Sequence, residues 1–124
     1  MLTPVNAHVQ ASPSDSARTL VVDGRAVGPV LHARTWWARS RGMLLRQPLP
    51  AALWLEPCSS VHGVGMSAAL DVAFLAEDGQ VIDVTVLRPW RLTSPRQDAR
   101  AVLEAPAGSF PGWGLSVGSL VRLA

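Results

Sequence analysis

Cys58-x3-His62-x3-Met66 sets a thiol, an imidazole and a thioether at even spacing inside EPCSSVHGVGMSAALD, residues 56–71. Soft sulfur and nitrogen donors of this kind serve blue-copper sites, which add a second histidine from elsewhere in the chain. His32 or His8 would have to supply it. The order of the chain argues against copper. In cupredoxins such a loop precedes the last strand, whereas 58 residues follow Met66 here. Structural zinc needs four Cys or His ligands at paired spacing, and the chain has one cysteine. The expectation is therefore a packed thiol, a hydrogen-bonded imidazole and a core methionine, with no metal and no cofactor.

Nucleophilic chemistry would use Ser60 or Cys58 with His62 as base and Asp71 as orienter. A triad is assembled in space rather than along the chain, so this adjacency carries little weight, and no G-x-S-x-G elbow accompanies it. Gly63 and Gly65 lack the strand-turn-helix setting of a phosphate loop. Arg34, Arg39, Arg41 and Arg46 flank Trp36 and Trp37, a mixture that suits single-stranded nucleic acid. An amphipathic helix that buries its tryptophans and solvates its arginines explains the same residues. All eleven basic residues are arginine, in a chain rich in Ala, Gly and Pro, as coding bias from a GC-rich genome would produce. A formal charge of +2 makes only a weak whole-molecule field, so nucleic acid is not favoured.

The elements that must position these residues follow from pattern. The 124 residues suit one domain with a self-sufficient core. Residues 1–18 are polar and proline-containing and read as a flexible tail, with the domain over 19–124. Residues 19–22 form a strand closed by the Asp23-Gly24 turn, and residues 29–34 a second. Thr35 caps a short helix to Leu45, in which Trp36 with Met43 and Trp37 with Leu44 recur at helical spacing. Residues 52–55 are a third strand. Leu70, Val72 and Phe74 alternate with Asp71 and Ala73, and Ile82, Val84 and Val86 alternate with Asp83 and Thr85. With Asp78-Gly79 between them, they predict a hairpin at the centre of the domain. Residues 101–105 form a strand, 107–113 a helical turn or loop, and 119–123 a last strand. The reading is a mostly β, α+β domain: a small β-barrel-like fold of about seven short strands with one short helix.

One cysteine fits a reducing compartment. No leader-like segment or apolar stretch of membrane-spanning length is evident, and a cytoplasmic protein is expected.

Several stretches together resemble a known family. They are 35–46, ending Arg41-Gly42-Met43-Leu44-Leu45-Arg46; Ser60-Val61-His62-x-x-Gly65-Met66 leading into Leu70-Asp71-Val72-x-Phe74-Leu75; Asp78-Gly79-x-Val81; Leu87-Arg88-Pro89-Trp90-Arg91; Val102-Leu103-Glu104-x-x-Ala107-Gly108; and Gly114-Leu115-x-x-Gly118. In this order they are similar to the bacterial and archaeal domain of unknown function 192 family, also called uncharacterised protein family 0127, over residues 19 to 123. The resemblance implies a compact β-barrel-like domain with a short helix and no established activity. Its Ser-Val-His form resembles a subgroup whose genes often neighbour pilus-assembly or secretion loci. Most members carry Trp-Met-Lys-Asn-Thr where this chain has 61–66, and a Gly-Asp becomes Gly118-Ser119.

Charges inside apolar strands must be solvated or paired. Asp71 and Glu104 are such charges, and Arg46 is the expected partner at the helix–barrel junction. Such a pair suits equally a purely structural lock of helix to barrel or a binding site; in the second case the candidate ligand or partner cleft is Arg46, Ser60, His62, Met66, Asp71, Arg88 and Glu104, used by a non-catalytic binding or accessory module for a protein or small molecule. The alternative is a small enzyme or metal-dependent protein built on His62, Asp71 and Glu104.

Overall fold

The computed structural model describes residues 15–33, Met43 and 50–124. Among them run seven strands and one short helix: β1 (Asp15–Val22), β2 (Arg25–Ala33), β3 (Leu53–Leu55), β4 (Leu70–Leu75), β5 (Val81–Leu87), β6 (Ala101–Pro106), α1 (Ser109–Trp113) and β7 (Val121–Leu123). They form one mostly β sheet in the order β5-β4-β6-β3-β2-β1-β7. Every pairing is antiparallel except β2 with β3, which runs parallel from Leu31 opposite Leu53. β1 begins at Asp15 rather than Thr19, because Asp15 to Arg18 pair with 30–33 of β2. The expected helix over 35–45 lies outside the described residues apart from Met43, which is buried.

Turn chemistry fixes both hairpins. Asp23 and Gly24 have φ of 48° and 82°, the doubled positive φ that matches the twist of a two-residue hairpin. Gly79 has φ 89°, and a Cβ there would run into the Val121 carbonyl oxygen. That close approach belongs to a seam between the sheet's two ends. Val81 N–H donates to Ser119 O and Val121 N–H to Gly79 O, both at 2.9 Å, beside an isolated Gln80–Leu120 bridge.

Two expectations change here. The sheet is not closed into a barrel, because β5 and β7 meet only at this corner and share no continuous ladder. The β4–β5 hairpin lies at one end of the sheet rather than its centre, because β6 takes the far side of β4 and nothing in the strand order follows β5.

Both faces of the sheet carry a core. On one, Leu20, Val22, Trp54, Ala73, Leu75, Leu103, Ala105, Phe110 and Val121 pack together. On the other, Leu53, Leu55, Met66, Leu70, Val72, Phe74, Leu87 and Val102 pack with Met43. β4 is consequently buried at all six positions. Its sequence alternation therefore separates two cores, and Asp71 is taken into the first. Phe74 has no exposed surface, so Phe74→Ala would cost about 3–5 kcal/mol.

Candidate functional site

The first core settles the position of Asp71. Only 7% exposed, Asp71 directs Oδ2 at the start of α1, where it accepts the backbone N–H groups of Gly108 and Phe110, each at 3.0 Å. Gly108 has φ 93°, and no side chain of the α1 segment itself caps this helix. A carboxylate from β4 therefore meets two donors that the first turn leaves without intrahelical partners.

Glu104 lies elsewhere. Asp71 pairs with Ala105 and Glu104 with Val72 across the β4–β6 ladder, and successive side chains alternate between faces. Asp71 thus sits on the α1 face, while Glu104, 1% exposed, points into the other core. The sheet divides the two carboxylates expected to share a cleft. Arg46 lies outside the described residues.

The second core is roofed by two antiparallel loop segments. Cys58 N–H donates to Arg100 O at 3.0 Å, Arg96 N–H to Ser59 O at 3.0 Å, and Thr93 N–H to Val61 O at 2.9 Å. Gly63 N–H donates to Arg91 O at 2.8 Å, beside an isolated bridge between His62 and Leu92. The underside of this ribbon is apolar: Met66 is buried, and Cys58 and Val61 pack against the core. The Cys58 thiol donates to Ser60 O at 3.1 Å. Arg96 pins the ribbon to β5. Its Nε meets Asp83 Oδ2 at 2.8 Å, its Nη1 meets Ser94 O, and its guanidinium lies 4.3 Å above the Phe74 ring. The guanidinium bond holds the Asp83 carboxyl below its ordinary value of 3.8, against a smaller opposing effect of burial.

The outer surface of the ribbon is different. Ser60, His62, Arg88 and Arg91 are exposed, together with Val64, Trp90 and Leu92. Trp90 is 68% exposed and Leu92 74%. Trp90 also has φ 64°, a left-handed backbone that a bulky residue adopts only when its surroundings impose it. Gly63 does so. Trp90 N–H donates to Gly63 O at 2.7 Å, and a Cβ on Gly63 would stand 2.7 Å from Arg88 O. The glycine lets the 88–90 turn close tightly against the ribbon.

Of the expected cleft, His62 and Arg88 therefore lie on abutting segments, and exposed Ser60 belongs to the same ribbon. Met66 is beneath it, Glu104 is in the core it covers, and Asp71 is on the far side of the sheet. Of the copper-type residues, Met66 is buried while His62 is exposed, and among the described residues no three His, Cys, Asp or Glu side chains group to hold a metal ion. Sequence reading missed Trp90 and Leu92 as surface residues. Their signal was an aromatic set between two arginines directly after Pro89. Two open hollows of about 280 Å³ lie among the described residues, one lined by Asp23, Asp78, Leu120 and Arg122 and the other by Cys58, Ser59, Ala99 and Arg100. In the first, Asp23 and Asp78 already accept the backbone N–H groups of Leu120 and Gln80. No helix among the described residues is long and apolar enough to cross a membrane.

Comparison with known proteins agrees with this architecture. A UPF0127 protein of Pyrococcus furiosus is 35% identical over 85 residues, covering 64% of this chain and 73% of its own. A UPF0127 protein of Pyrococcus abyssi is 37% identical over 86 residues, covering 65% and 74%. Among solved structures, a candidate transcription regulator from Sinorhizobium meliloti superimposes with a TM-score of 0.76 at 19% identity, over 91% of this chain and 98% of that one. A protein of unknown function from Novosphingobium aromaticivorans gives 0.68 at 18%, over 92% and 95%. At such identities the likeness is one of fold. The family pattern of DUF192, described as an uncharacterized ACR, matches residues 19–123, and the chain belongs to that family.

Proposed function

We propose that this domain is a non-catalytic binding module whose contact surface is the outer side of the 58–66 and 88–96 ribbon, and whose partner is a protein. The observation that carries the reading is Trp90: a largely exposed indole on a strained backbone, flanked by Arg88 and Arg91. Trp and Arg are the side chains most enriched in interface hot spots, and a strained residue persists only where neighbours hold it in place. The enzyme alternative needs His62, Asp71 and Glu104 in one site. It is weakened by the opposite faces of the two carboxylates and by the commitment of Asp71 to the α1 amides. Nucleic acid is the less favoured partner, because Trp90 is one aromatic among aliphatic Val64 and Leu92, whereas a base-stacking surface offers successive rings.

A chain with one cysteine, Cys58, fits a reducing compartment, and the proposal includes a cytoplasmic location. The resemblance of the Ser-Val-His form to a subgroup near pilus-assembly or secretion genes makes components of such a machine the first partners to test. The test is affinity capture with the full chain, identification of the bound protein, and remeasurement with the purified pair. Trp90→Ala and Leu92→Ser should lose the partner and Val117→Ser, exposed elsewhere, should keep it. Equal binding by all three variants overturns the reading.

A further inference from the structure

Charge around the ribbon points to the chemistry of the partner. Residues 57–70 and 88–97 contain no Asp or Glu, while the second segment carries Arg88, Arg91 and Arg96. Arg96 is committed to Asp83. Arg88 and Arg91 are exposed and have no carboxylate partner among the described residues. Two guanidinium groups without a carboxylate partner among the described residues thus bracket Trp90, with Leu92 two positions further and Val64 on the abutting segment. Exposed apolar side chains in one place mark a contact surface, and arginine prepared for bidentate pairing selects carboxylates.

We infer that this surface, if it is the contact site proposed above, docks a short acidic segment of a partner protein that alternates carboxylates with large apolar side chains. The apolar residues of the segment cover Trp90, Leu92 and Val64, and its carboxylates pair with Arg88 and Arg91. Charge complementarity of this kind fixes register and speeds encounter, while burial of the indole contributes most of the affinity. A basic segment would be repelled, and a neutral one would leave both arginines without new partners.

Fluorescence anisotropy on the full chain tests this with four labelled probes. They are a ten-residue peptide alternating Glu with Leu and Phe, its Gln and Lys counterparts, and an oligothymidylate. The acidic peptide should bind, and less tightly as salt rises. Its affinity should fall by at least about tenfold in Trp90→Ala and in the double variant Arg88→Glu with Arg91→Glu. Val117→Ser should bind as the parent does, and circular dichroism should show all variants folded. Equal binding of the Gln peptide, tighter binding of the Lys peptide or oligothymidylate, or no binding of the acidic peptide overturns the acidic-segment inference. In the first two cases Trp90→Ala separates the two claims. Binding lost in that variant leaves the contact surface standing and removes only the partner class, whereas unchanged binding removes the surface as well.

Discussion

Asp71 and Glu104 are diagonal neighbours on adjacent strands, yet their side chains enter different cores. Asp71 lies opposite Ala105 and Glu104 opposite Val72, so one carboxylate caps α1 and the other points beneath the ribbon. A chemistry requiring both would have to pass through the sheet. The relationship has a thermodynamic signature. The destabilisations of Asp71→Asn and Glu104→Gln should add in the double variant to within about 0.5 kcal/mol, as for side chains that the sheet keeps in separate cores. Coupling well above that, measured by urea denaturation, would mean that the two act as one site.

The cap itself predicts an asymmetric pair of substitutions. Asp71→Ala leaves the buried Phe110 N–H and the Gly108 N–H without their acceptor, and should cost about 2–4 kcal/mol. Asp71→Asn keeps an amide oxygen that can accept, and should cost less. Equal loss in both variants would show that charge rather than hydrogen bonding holds α1.

Gly63→Ala should loosen the ribbon, because its methyl would stand 2.7 Å from the Arg88 carbonyl oxygen, a backbone atom that cannot swing aside. The expected cost is about 1–3 kcal/mol, with faster tryptic cleavage after Arg91. Unchanged cleavage kinetics would contradict the close approach.

The Asp83–Arg96 pair sets a pH dependence. The folded Asp83 carboxyl titrates below 3.8, so the unfolded chain binds its proton first as pH falls. The pair's contribution is therefore complete above the unfolded value and disappears as pH drops through the lower, folded one. Asp83 is 44% exposed at its side chain, so solvent screening keeps the effect small. In denaturation series from pH 7 to 3, the gap between the parent and Asp83→Asn should stay constant at first and narrow only below about pH 4. A gap that widens on acidification would contradict the lowered value.

Much of this was legible before any coordinates. The β4–β5 hairpin follows from the alternation around Asp78-Gly79, and the family from motifs spread over residues 19 to 123. The burial of Asp71 was legible only as a demand for a partner. The partners are main-chain amides 37 and 39 residues away, and amides carry no side-chain signature in sequence. Barrel closure was over-read because strand number does not determine whether β5 and β7 meet along a ladder or at one corner. Trp90 was visible as a residue, but its outward placement depends on a left-handed backbone that only the packing of Gly63 reveals.

The most direct measurement pairs binding with stability in two variants, using isothermal titration with the purified partner protein and thermal melting. Trp90→Ala should weaken binding by at least about tenfold and shift the melting temperature by no more than about 2 °C, as expected when an exposed hot-spot side chain is truncated. Asp71→Asn should melt earlier yet bind as the parent does, at a temperature where it remains folded. Parent-like binding by Trp90→Ala, with binding lost in folded Asp71→Asn, would move the site to the α1 face and contradict the ribbon as the contact surface.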